Sequence, residues 1–511
     1  VDLVVYPELA LTGYFTEDLT KNKDFLQAIT AKVELICDLT KGKTTGIIIS
    51  IPLLQKAKLY NAGILIEDGR ISGTFNKINL PNYGVFDEQR IFQPGTEISP
   101  LVFKHAKLGC MICEDMWYDD VANQLNDQQA DFFIVINASP FEIGKQEKRL
   151  ELATKIAKQY KKALFYVNLF GGQDDLTFDG GSFVLNHSGQ LVKKPSFWQE
   201  TTEIYSLTDK QIQVIKQSEQ IEYDSLNHIY HALMVGLGDY LNKNGFKKII
   251  LGLSGGIDSA LVAVLASDVL GAENVRCLML PSKYTSIESF EDAKQIAENA
   301  GINLDQISIQ KIFATCLEEL HASFKGKSED ATEENLQARI RCLLMMAISN
   351  KFNELLLSTS NKSESATGYT TLYGDMSGGF APIKDLYKTQ IYQLVNWRNK
   401  NIPHKSKLNK IELFPNRIIT KAPTAELRHN QKDQDTIPAY DVLDKILYQI
   451  IEEDKSIREI VAAGVDEKLV ERIFKMIVAN EYKRRQGPIG TKINKVSFNK
   501  DRRYPVTNKF M

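Results

Sequence analysis

The chain has 511 residues with a formal net charge of −2, 43% apolar residues and 25% charged residues. This length and composition predict a globular protein with more than one core. The near-neutral charge without a long basic run argues against a nucleic-acid surface, and no uninterrupted apolar run approaches the roughly 20 residues that would predict a membrane span.

Cysteine use indicates a reducing compartment. The six cysteines are scattered through the sequence at Cys37, Cys110, Cys113, Cys277, Cys316 and Cys342. Such spacing in a large chain is typical of proteins without a disulfide framework, which predicts a cytoplasmic location. Residue 1 is Val, and residues 3–6 already have the pattern of a core strand, so we expect natural residues to precede this sequence.

The first half alternates strand and helix patterns, which predicts a layered α/β domain over residues 1–208. The predicted strands are 3–6, 46–51, 62–66, 71–76, 101–112, 132–136 and 163–167, and the predicted helices are 24–38 and 147–160.

Three side chains of this half, Glu8, Lys77 and Cys113, follow apolar strands. Amide hydrolysis through a thioester needs a thiolate, a group that moves protons and a positive charge for the oxyanion. Taken singly, each residue has a plainer interpretation as a loop charge, a solvated cation or a small core residue. Cys110 and Cys113 also form a C-x-x-C pattern. We expect these two cysteines to lie on opposite faces of one strand, and the sequence has no second cysteine pair of this kind. Both points argue against a redox or zinc site.

Residues 209–224 are rich in Lys, Gln, Glu and Ser without a clear apolar stripe, and we expect a linker there before a second domain over 225–511. The predicted helices of that domain are 230–241, 258–270, 289–299, 335–348, 441–453 and 468–481, and the predicted strands are 247–253, 275–280, 305–309 and 354–358. This rhythm predicts a doubly wound parallel sheet, with ligands beyond the carboxyl ends of its strands. The polar residues 324–334 predict a loop, either an active-site lid or a solvated connection.

The string L-G-L-S-G-G-I-D-S at 251–259 organises the second half. A strand, a glycine turn and a helix start form a nest of backbone N–H groups that binds phosphate. The string lacks the Lys of a Walker loop, so it does not predict γ-phosphate transfer. Ser254 and Ser259 could hold pyrophosphate while Asp258 holds Mg²⁺. Glu364 could be a second Mg²⁺ carboxylate or a solvated loop acid.

The motifs of the first half resemble those of the nitrilase superfamily. They are Y-P-E-L-A-L-T-G-Y at 6–14, K-I-N-L-P-N-Y-G-V-F-D-E at 77–88 and I-C-E-D-M-W at 112–117. With N-A-S-P at 137–140 and G-G-Q-D at 171–174, the pattern is similar to the glutaminase domain of glutamine-dependent NAD⁺ synthetases. About one strand and one helix that precede the glutamate in such domains are absent here, so the chain is N-terminally short relative to that family.

The resemblance implies a nitrilase-like α-β-β-α sandwich in which Glu8 is the general base, Lys77 stabilises the oxyanion and Cys113 is the nucleophile. It also implies that glutamine is bound by three further residues, Tyr83, Ser139 and Lys145.

The second half resembles the ATP pyrophosphatases in its S-G-G-x-D-S string, and NAD⁺ synthetase domains at five further points. These are E-N-L-Q-A-R at 334–339, S-N-K-S-E at 360–364, Y-G-D-M at 373–376, P-T-A-E-L at 423–427 and K-R-R-Q at 483–486. The implied fold is adenine nucleotide α hydrolase-like. Implied ATP contacts are Gly252, Leu253, Ser254, Gly255, Gly256, Ile257, Asp258, Ser259 and Thr359. Implied deamido-NAD⁺ contacts are Asn335, Glu364, Asp375 and Lys483, and the implied Mg²⁺ ligands are Asp258 and Glu364.

The resemblance implies amidation of deamido-NAD⁺ to NAD⁺, the last step of NAD⁺ biosynthesis, through an adenylated intermediate with release of AMP and pyrophosphate. Ammonia from glutamine would pass between the domains without free exchange with water, and we expect a homo-oligomer. An adenylating enzyme with another acceptor, such as a GMP precursor, asparagine or tRNA lysidine, is one alternative. A non-catalytic nucleotide-binding scaffold is another, and the presence of Cys113, Asp258 and Ser259 argues against it.

Overall fold

The computed structural model describes residues 1–208, 211–498 and 500–508. The chain divides into two compact units, Val1–Glu222 and Tyr223–Met511. Among the described residues, no helix combines the length and apolar character needed to cross a bilayer.

The described residues of the first unit form two main sheets and three α-helices. Its strands are β1 (Leu3–Val5), β2 (Gly46–Gln55), β3 (Lys58–Glu67), β4 (Arg70–Asn76), β5 (Leu101–Phe103), β6 (Ala106–Ile112), β7 (Phe132–Asn137), β8 (Leu164–Asn168), β9 (Phe170–Gln173), β10 (Leu176–Asp179), β11 (Phe183–Leu185), β12 (Ile204–Thr208) and β13 (Gln211–Lys216). Its helices are α1 (Lys23–Thr40), α2 (Asp119–Asp127) and α3 (Lys145–Tyr160). One sheet has the order β1-β2-β3-β4, and the other has the order β11-β8-β7-β6-β5.

The alternation of side chains along the strands explains the layers of this unit. In β2, Ile49 and Ile51 pack with α1, whereas Ile48 lies in the layer between the two sheets. In β7, Phe133 packs with α2 and α3, whereas Ile134 joins that same central layer. Each sheet therefore buries one face against a helix and the other against its partner sheet. The predicted α-β-β-α sandwich is confirmed.

Two expectations for the first unit need correction. The single strand predicted over 101–112 is a hairpin of β5 and β6, because the chain turns at Lys104, which has a φ of 53°. In the expected linker, Asp209 and Lys210 lie outside the described residues. Residues 211–216 form β13, which pairs antiparallel with β12 through alternating apolar residues that include Ile212 and Val214.

The second unit has a central sheet surrounded by helices. Its strands are β14 (Ile249–Gly252), β15 (Val275–Met279), β16 (Asn303–Gln306) and β17 (Leu355–Leu356). Its helices are α4 (Ser225–Lys243), α5 (Ile257–Leu270), α6 (Ile287–Ala300), α7 (Gln310–Leu320), α8 (Ala331–Phe352), α9 (Lys362–Thr367), α10 (Lys388–Arg398), α11 (Asn416–Thr420), α12 (Tyr440–Ile451), α13 (Ile457–Ala462), α14 (Glu467–Ala479) and α15 (Glu481–Arg484).

The strands β16-β15-β14-β17 run parallel in that order. The predicted doubly wound sheet is confirmed. The order reverses at β14, since β15 and β17 lie on its opposite sides, and such a switch point is where open α/β sheets bind ligands. The loop that follows Gly252 therefore starts at the ligand-binding edge of the sheet.

Several boundaries in this unit differ from the predictions, and two of the differences concern the third strand and the loop before α8. The third strand spans Asn303–Gln306 rather than 305–309. The loop expected over 324–334 ends early, because α8 begins at Ala331. Asp330 accepts a hydrogen bond from the Thr332 amide, and Glu333 accepts one from the Asp330 amide. This capping box satisfies free amides at the helix start, so the first turn of α8 forms four residues earlier than expected.

Candidate active sites

The first candidate site lies where strands of the two facing sheets end. Glu8 follows β1, Lys77 follows β4, and Cys113 follows β6 as the first residue of a short 3₁₀ helix. The Cys113 backbone has a φ of 46°, an uncommon conformation for a residue with a side chain and one that is found at functional turns. Cys113 shares the intersheet layer with Cys110, so the two cysteines do not lie on opposite faces as expected.

Lys77 is held between two buried carboxylates. Its Nζ lies 2.8 Å from Glu8 Oε1 and 2.6 Å from Glu88 Oε1. All three side chains are excluded from solvent. Glu88 is the last residue of the motif at 77–88, and the sequence predicted no role for it. Only the fold shows that it lies beside Lys77.

Uncharged donors complete the coordination of both carboxylates. Asn61 Nδ2 donates to Glu8 Oε1 (2.7 Å), and the Ala138 amide donates to Glu8 Oε2 (2.8 Å). The Tyr14 hydroxyl donates to Glu88 Oε1 at 2.8 Å. Buried carboxylates are stable only when their oxygens are satisfied in this way, so the network fixes both groups in one orientation.

The electrostatics of the site keep Lys77 charged and the thiol protonated at rest. Burial disfavours the ammonium of Lys77, but Glu8 and Glu88 outweigh burial and raise the pKa of Lys77 well above its usual value. Burial and then the charge of Glu8 raise the pKa of the Cys113 thiol, while Lys77 acts in the opposite direction. The arrangement therefore needs a base that takes the thiol proton when substrate binds.

The acids next to Cys113 in sequence are turned to other partners. Asp115 accepts hydrogen bonds from the backbone amides of Ile78 (3.0 Å), Asn79 (2.8 Å) and Ile112 (3.0 Å). Of the carboxylates that raise the pKa of the Cys113 thiol, Glu114 contributes less than Glu8 does. Asp115 instead ties the lysine segment to the cysteine turn.

Two of the three residues implied to bind glutamine, Tyr83 and Lys145, contact residues of the segment that begins at Cys113. The Tyr83 hydroxyl donates to Glu114 at 3.0 Å, and Lys145 Nζ lies 5.0 Å from the centre of the Trp117 ring. The charge of Cys113 affects the pKa of both Tyr83 and Lys145, which shows that they share its environment.

Ser139 is held by Arg149, a buried cation that the sequence analysis did not identify. Arg149 Nε donates to Ser139 Oγ at 3.0 Å, and Arg149 Nη1 lies 2.8 Å from Asp179. Because Arg149 is fully buried and multiply bonded, it fixes the loop that carries Ser139.

The second candidate site begins at the loop after β14. Ser254 Oγ and Ser259 Oγ lie 3.2 Å apart, and Ser259 Oγ donates to the Gly256 carbonyl at 3.0 Å. Gly255 has a φ of +84°, and a Cβ there would lie 2.2 Å from the Ser289 carbonyl oxygen. The turn can therefore form only with glycine at this position, and it exposes its amides at the N-terminus of α5.

This loop lines a cavity of about 520 Å³ within the second unit. All of the residues implied to bind ATP, the dinucleotide or Mg²⁺ line this cavity: Gly252, Leu253, Ser254, Gly255, Gly256, Ile257, Asp258, Ser259, Asn335, Thr359, Glu364, Asp375 and Lys483. The structure thus brings together residues that are more than 200 positions apart in the sequence.

Asp258 and Glu364 face one buried cation, Lys388, which the sequence analysis did not identify. Lys388 forms an ion pair with Asp258, and its Nζ lies 3.5 Å from Glu364 Oε1. Burial and then the charge of Asp258 raise the pKa of Glu364 to about 8. Asn361 Nδ2 also donates to Asp258 at 3.0 Å.

This donor set fits Mg²⁺. In the described part of the chain, no group of three or more His, Cys, Asp or Glu side chains could hold a metal. Mg²⁺ is commonly bound by one or two carboxylates that act together with substrate phosphates. Asp258 and Glu364 supply two such carboxylates beside a phosphate loop, and Lys388 balances their charge.

The residues implied to bind the dinucleotide hold the segment 368–375. Thr371 Oγ1 donates to Asn335 Oδ1 (2.8 Å), and the Thr371 amide donates to Asp375 Oδ1 (2.8 Å). Lys483 Nζ donates to the carbonyls of Gly368 and Thr370, both at 2.8 Å. These contacts form a polar part of the wall of the cavity that the phosphate loop also lines.

Comparison with known proteins assigns a family to each unit. A family model described as carbon-nitrogen hydrolase matches residues 1–217, and one described as NAD synthase matches residues 229–487. The glutamine-dependent NAD(+) synthetase of Acinetobacter baylyi is 43% identical over 99% of this chain and 92% of its own length. The corresponding enzyme of Thermotoga maritima is 42% identical over 100% of this chain and 93% of its own length.

Solved structures agree with these relatives. The glutamine-dependent NAD⁺ synthetase of Acinetobacter baumannii, solved with ADP, is 40% identical and has a TM-score of 0.77 over 99% of this chain and 92% of its own. That of Cytophaga hutchinsonii, at 22% identity and a TM-score of 0.81 over 99% of this chain and 92% of its own, supports the fold.

Proposed function

The chain belongs to the glutamine-dependent NAD⁺ synthetase family, and from this premise we propose how its own residues perform the reaction. The protein is an ATP-dependent ligase that converts deamido-NAD⁺ to NAD⁺ with glutamine as the amide donor. The supporting observation is that one chain carries both a buried thiol–carboxylate–ammonium set and a cavity built on a phosphate loop. We assign residues 1–208 to the glutaminase and 225–511 to the synthetase.

In the first unit, Cys113 attacks the side-chain amide of glutamine, and Glu8 accepts the thiol proton and delivers it to the departing ammonia. Lys77 stabilises the tetrahedral oxyanion, because Glu8 and Glu88 keep it charged in a buried setting. Tyr83, Ser139 and Lys145 orient glutamine. Water then cleaves the thioester to give glutamate.

In the second unit, the carboxylate of deamido-NAD⁺ attacks the α-phosphorus of ATP to form the adenylate. The residues at 252–259 and Thr359 hold ATP, and Asn335, Glu364, Asp375 and Lys483 hold the dinucleotide. When bound, Mg²⁺ on Asp258 and Glu364 would neutralise charge on the pyrophosphate. The loop amides and Ser254 retain that leaving group, and ammonia then displaces AMP to form the amide.

Replacing the thiol tests this division of roles. In Cys113→Ala we expect the loss of glutamine-dependent NAD⁺ synthesis, because the nucleophile is missing, while synthesis from added ammonium salts continues at the wild-type rate. Mass detection of NAD⁺ from deamido-NAD⁺, ATP and Mg²⁺ with either nitrogen source measures both activities. Asp258→Asn is the converse control and should retain glutamate release. Loss of both activities in Cys113→Ala would contradict the assignment.

We further propose that the protein acts as a cytoplasmic homo-oligomer. Scattered free cysteines support the first part, and exposed apolar residues on α8, Leu343, Met346 and Phe352, support the second. Light scattering of the purified chain would measure its mass in solution, and a monomer at working concentration would contradict the second part.

A further inference from the structure

The cavity of the second unit contains a guanidinium to which the assignments above give no role. Arg341 lies on α8 and lines the cavity. Its Nε donates to the Leu280 carbonyl at 2.9 Å, and Leu280 follows β15 directly. This contact uses one of five N–H donors, so the Nη groups at the end of the side chain remain available to the cavity.

Arg341 differs from the other cations that line the cavity. Lys388 pairs with Asp258, Lys421 donates to Ser289 Oγ at 2.6 Å, and Lys483 donates to two backbone carbonyls. Among the described residues, no carboxylate lies within ion-pair distance of Arg341, and its one hydrogen bond leaves both Nη groups unused. Asp375 and Glu426 act on it only through space.

Arg341 is half-buried, and a partly desolvated cation without a carboxylate partner is costly unless a ligand supplies the anion. Burial lowers the pKa of Arg341 to about 10, and Asp375 and Glu426 only partly oppose this effect. The group is therefore still cationic at neutral pH, and the folded protein retains an unneutralised charge in a nucleotide-sized cavity.

The neighbours of Arg341 on α8 locate it between the two halves of the cavity. Residues one turn apart share a helix face. One turn later, Met345 Sδ lies 3.2 Å from the position that a Cβ on Gly252 would take. One turn earlier, the Ala338 methyl lies 2.9 Å from the corresponding position at Gly374. Arg341 thus lies between the start of the phosphate loop and the segment assigned to the dinucleotide.

We propose that Arg341 binds an oxyanion of substrate with its forked Nη donors, at the point where the acceptor carboxylate meets the α-phosphorus of ATP. This inference rests on the proposed function and adds a residue to it. Phosphoryl and carboxylate groups offer the same paired oxygens, which a guanidinium binds in bidentate fashion. The source of the oxygens is therefore either ATP or deamido-NAD⁺, and binding measurements separate the two.

The test compares Arg341→Gln and Arg341→Lys with wild type, using ammonium as the nitrogen source so that the first unit is not needed. Steady-state KM and kcat are measured for ATP and deamido-NAD⁺, and calorimetry gives Kd for ATP, deamido-NAD⁺ and NAD⁺. Arg503→Gln is the matched control, since Arg503 Nε also donates to a backbone carbonyl, that of Lys500, but neither residue lines the cavity.

We expect Arg341→Gln to weaken the binding of one anionic substrate by about 10- to 100-fold, because the substrate loses a charged hydrogen-bond partner. If ATP supplies the oxygens, Kd for ATP rises and Kd for deamido-NAD⁺ does not. If the carboxylate supplies them, Kd for deamido-NAD⁺ rises while that for NAD⁺, which carries a carboxamide, stays unchanged. Arg341→Lys should recover only part of the loss, because an ammonium cannot form the fork.

Affinities and kcat within about twofold of wild type in both variants would overturn the inference. If Arg341→Gln does not show the thermal unfolding transition of the wild type, the variant is not folded. The Arg341→Lys variant, which keeps the charge, then decides the outcome alone. Failure of the proposed function would look different, because wild type itself would then make no NAD⁺.

Discussion

At the scale of single residues, the first unit depends on a cation shared by two acids. Lys77 contacts Glu8 and Glu88 at hydrogen-bond distance, and all three side chains are buried. Removing one member of such a set leaves an uncompensated buried charge, which usually costs more than the intact set contributes. The same contacts therefore support both stability and chemistry, and a double substitution can separate them.

We predict that Lys77→Met abolishes glutamate release and destabilises the first unit by about 3–5 kcal/mol. Adding Glu88→Gln should recover part of that stability, because one unpaired carboxylate is removed, but it should not restore activity without the oxyanion cation. Denaturant unfolding and glutamate release measure the two effects. Lys155→Met, at an exposed ion pair with Asp119, is the control. Recovery of activity together with stability would contradict the role of Lys77.

A buried histidine of the second unit predicts a pH dependence of stability. Burial lowers the pKa of His231 to about 4, and its Nδ1 lies 2.9 Å from the Asn227 carbonyl. An unfolded histidine has a pKa of about 6.5. The unfolded state therefore binds more protons between these two values, and stability is lost as the pH falls through that window.

The difference in pKa lowers the free energy of unfolding by about 2 kcal/mol at about pH 5 relative to neutral pH. We expect His231→Asn to remove most of that pH dependence from the free energy of unfolding of the second unit, as followed by urea denaturation. His321→Asn, at an exposed position, should keep the wild-type slope. A wild-type slope in His231→Asn would mean that other groups titrate in this range.

At the scale of elements, the strand–turn–helix unit from β14 to α5 depends on one backbone conformation. Gly255 has a positive φ, and a Cβ there would lie 2.2 Å from the Ser289 carbonyl oxygen. Gly256 has a φ of −87°, and a Cβ there would lie 3.3 Å from Ser254 Oγ, at the end of a side chain that can rotate. The two adjacent glycines therefore meet different structural requirements. The same substitution at each position separates the effect of backbone strain from the effect of added side-chain volume.

We predict that Gly255→Ala lowers ATP-dependent pyrophosphate release by at least about 100-fold, because the loop must move away from its phosphate-binding shape. Gly256→Ala should cost at most about tenfold. Glutamate release, which depends on the first unit, reports that both variants are folded. Equal losses at the two positions would show that the positive φ at Gly255 is not the cause.

At the scale of the whole molecule, ammonia is made in one unit and used in the other. Free ammonia is protonated at neutral pH and loses its nucleophilicity, so direct delivery favours synthesis. With ¹⁵N-amide glutamine and an excess of unlabelled ammonium, we expect most NAD⁺ to carry ¹⁵N, as mass spectrometry would show. The Cys113→Ala variant should produce only unlabelled NAD⁺. If the ¹⁵N content of NAD⁺ made by the wild type fell to that of the bulk ammonium pool, ammonia would pass through solvent between the two units.

The sequence by itself determined the features that depend on local order along the chain. Short apolar runs that alternate with helix patterns predicted the sheets, and the glycine–serine string predicted a phosphate loop before α5, because strand, turn and helix start are local in sequence. Motif resemblance indicated Glu8, Lys77 and Cys113. The hairpin of β12 and β13 was missed because a short, partly exposed pair of strands has little composition bias.

Only the tertiary structure decided the partners of the charged groups. Lys77 and Glu8 are 69 residues apart, and Lys388 and Asp258 are 130 apart. No local pattern encodes such pairs, because the energy of a buried charge depends on which groups the fold brings within a few ångströms of it. For the same reason, Glu88, Lys388 and Arg341 resembled ordinary solvated residues until the fold placed the first two against Lys77 and Asp258 and the third in the wall of the second unit's cavity.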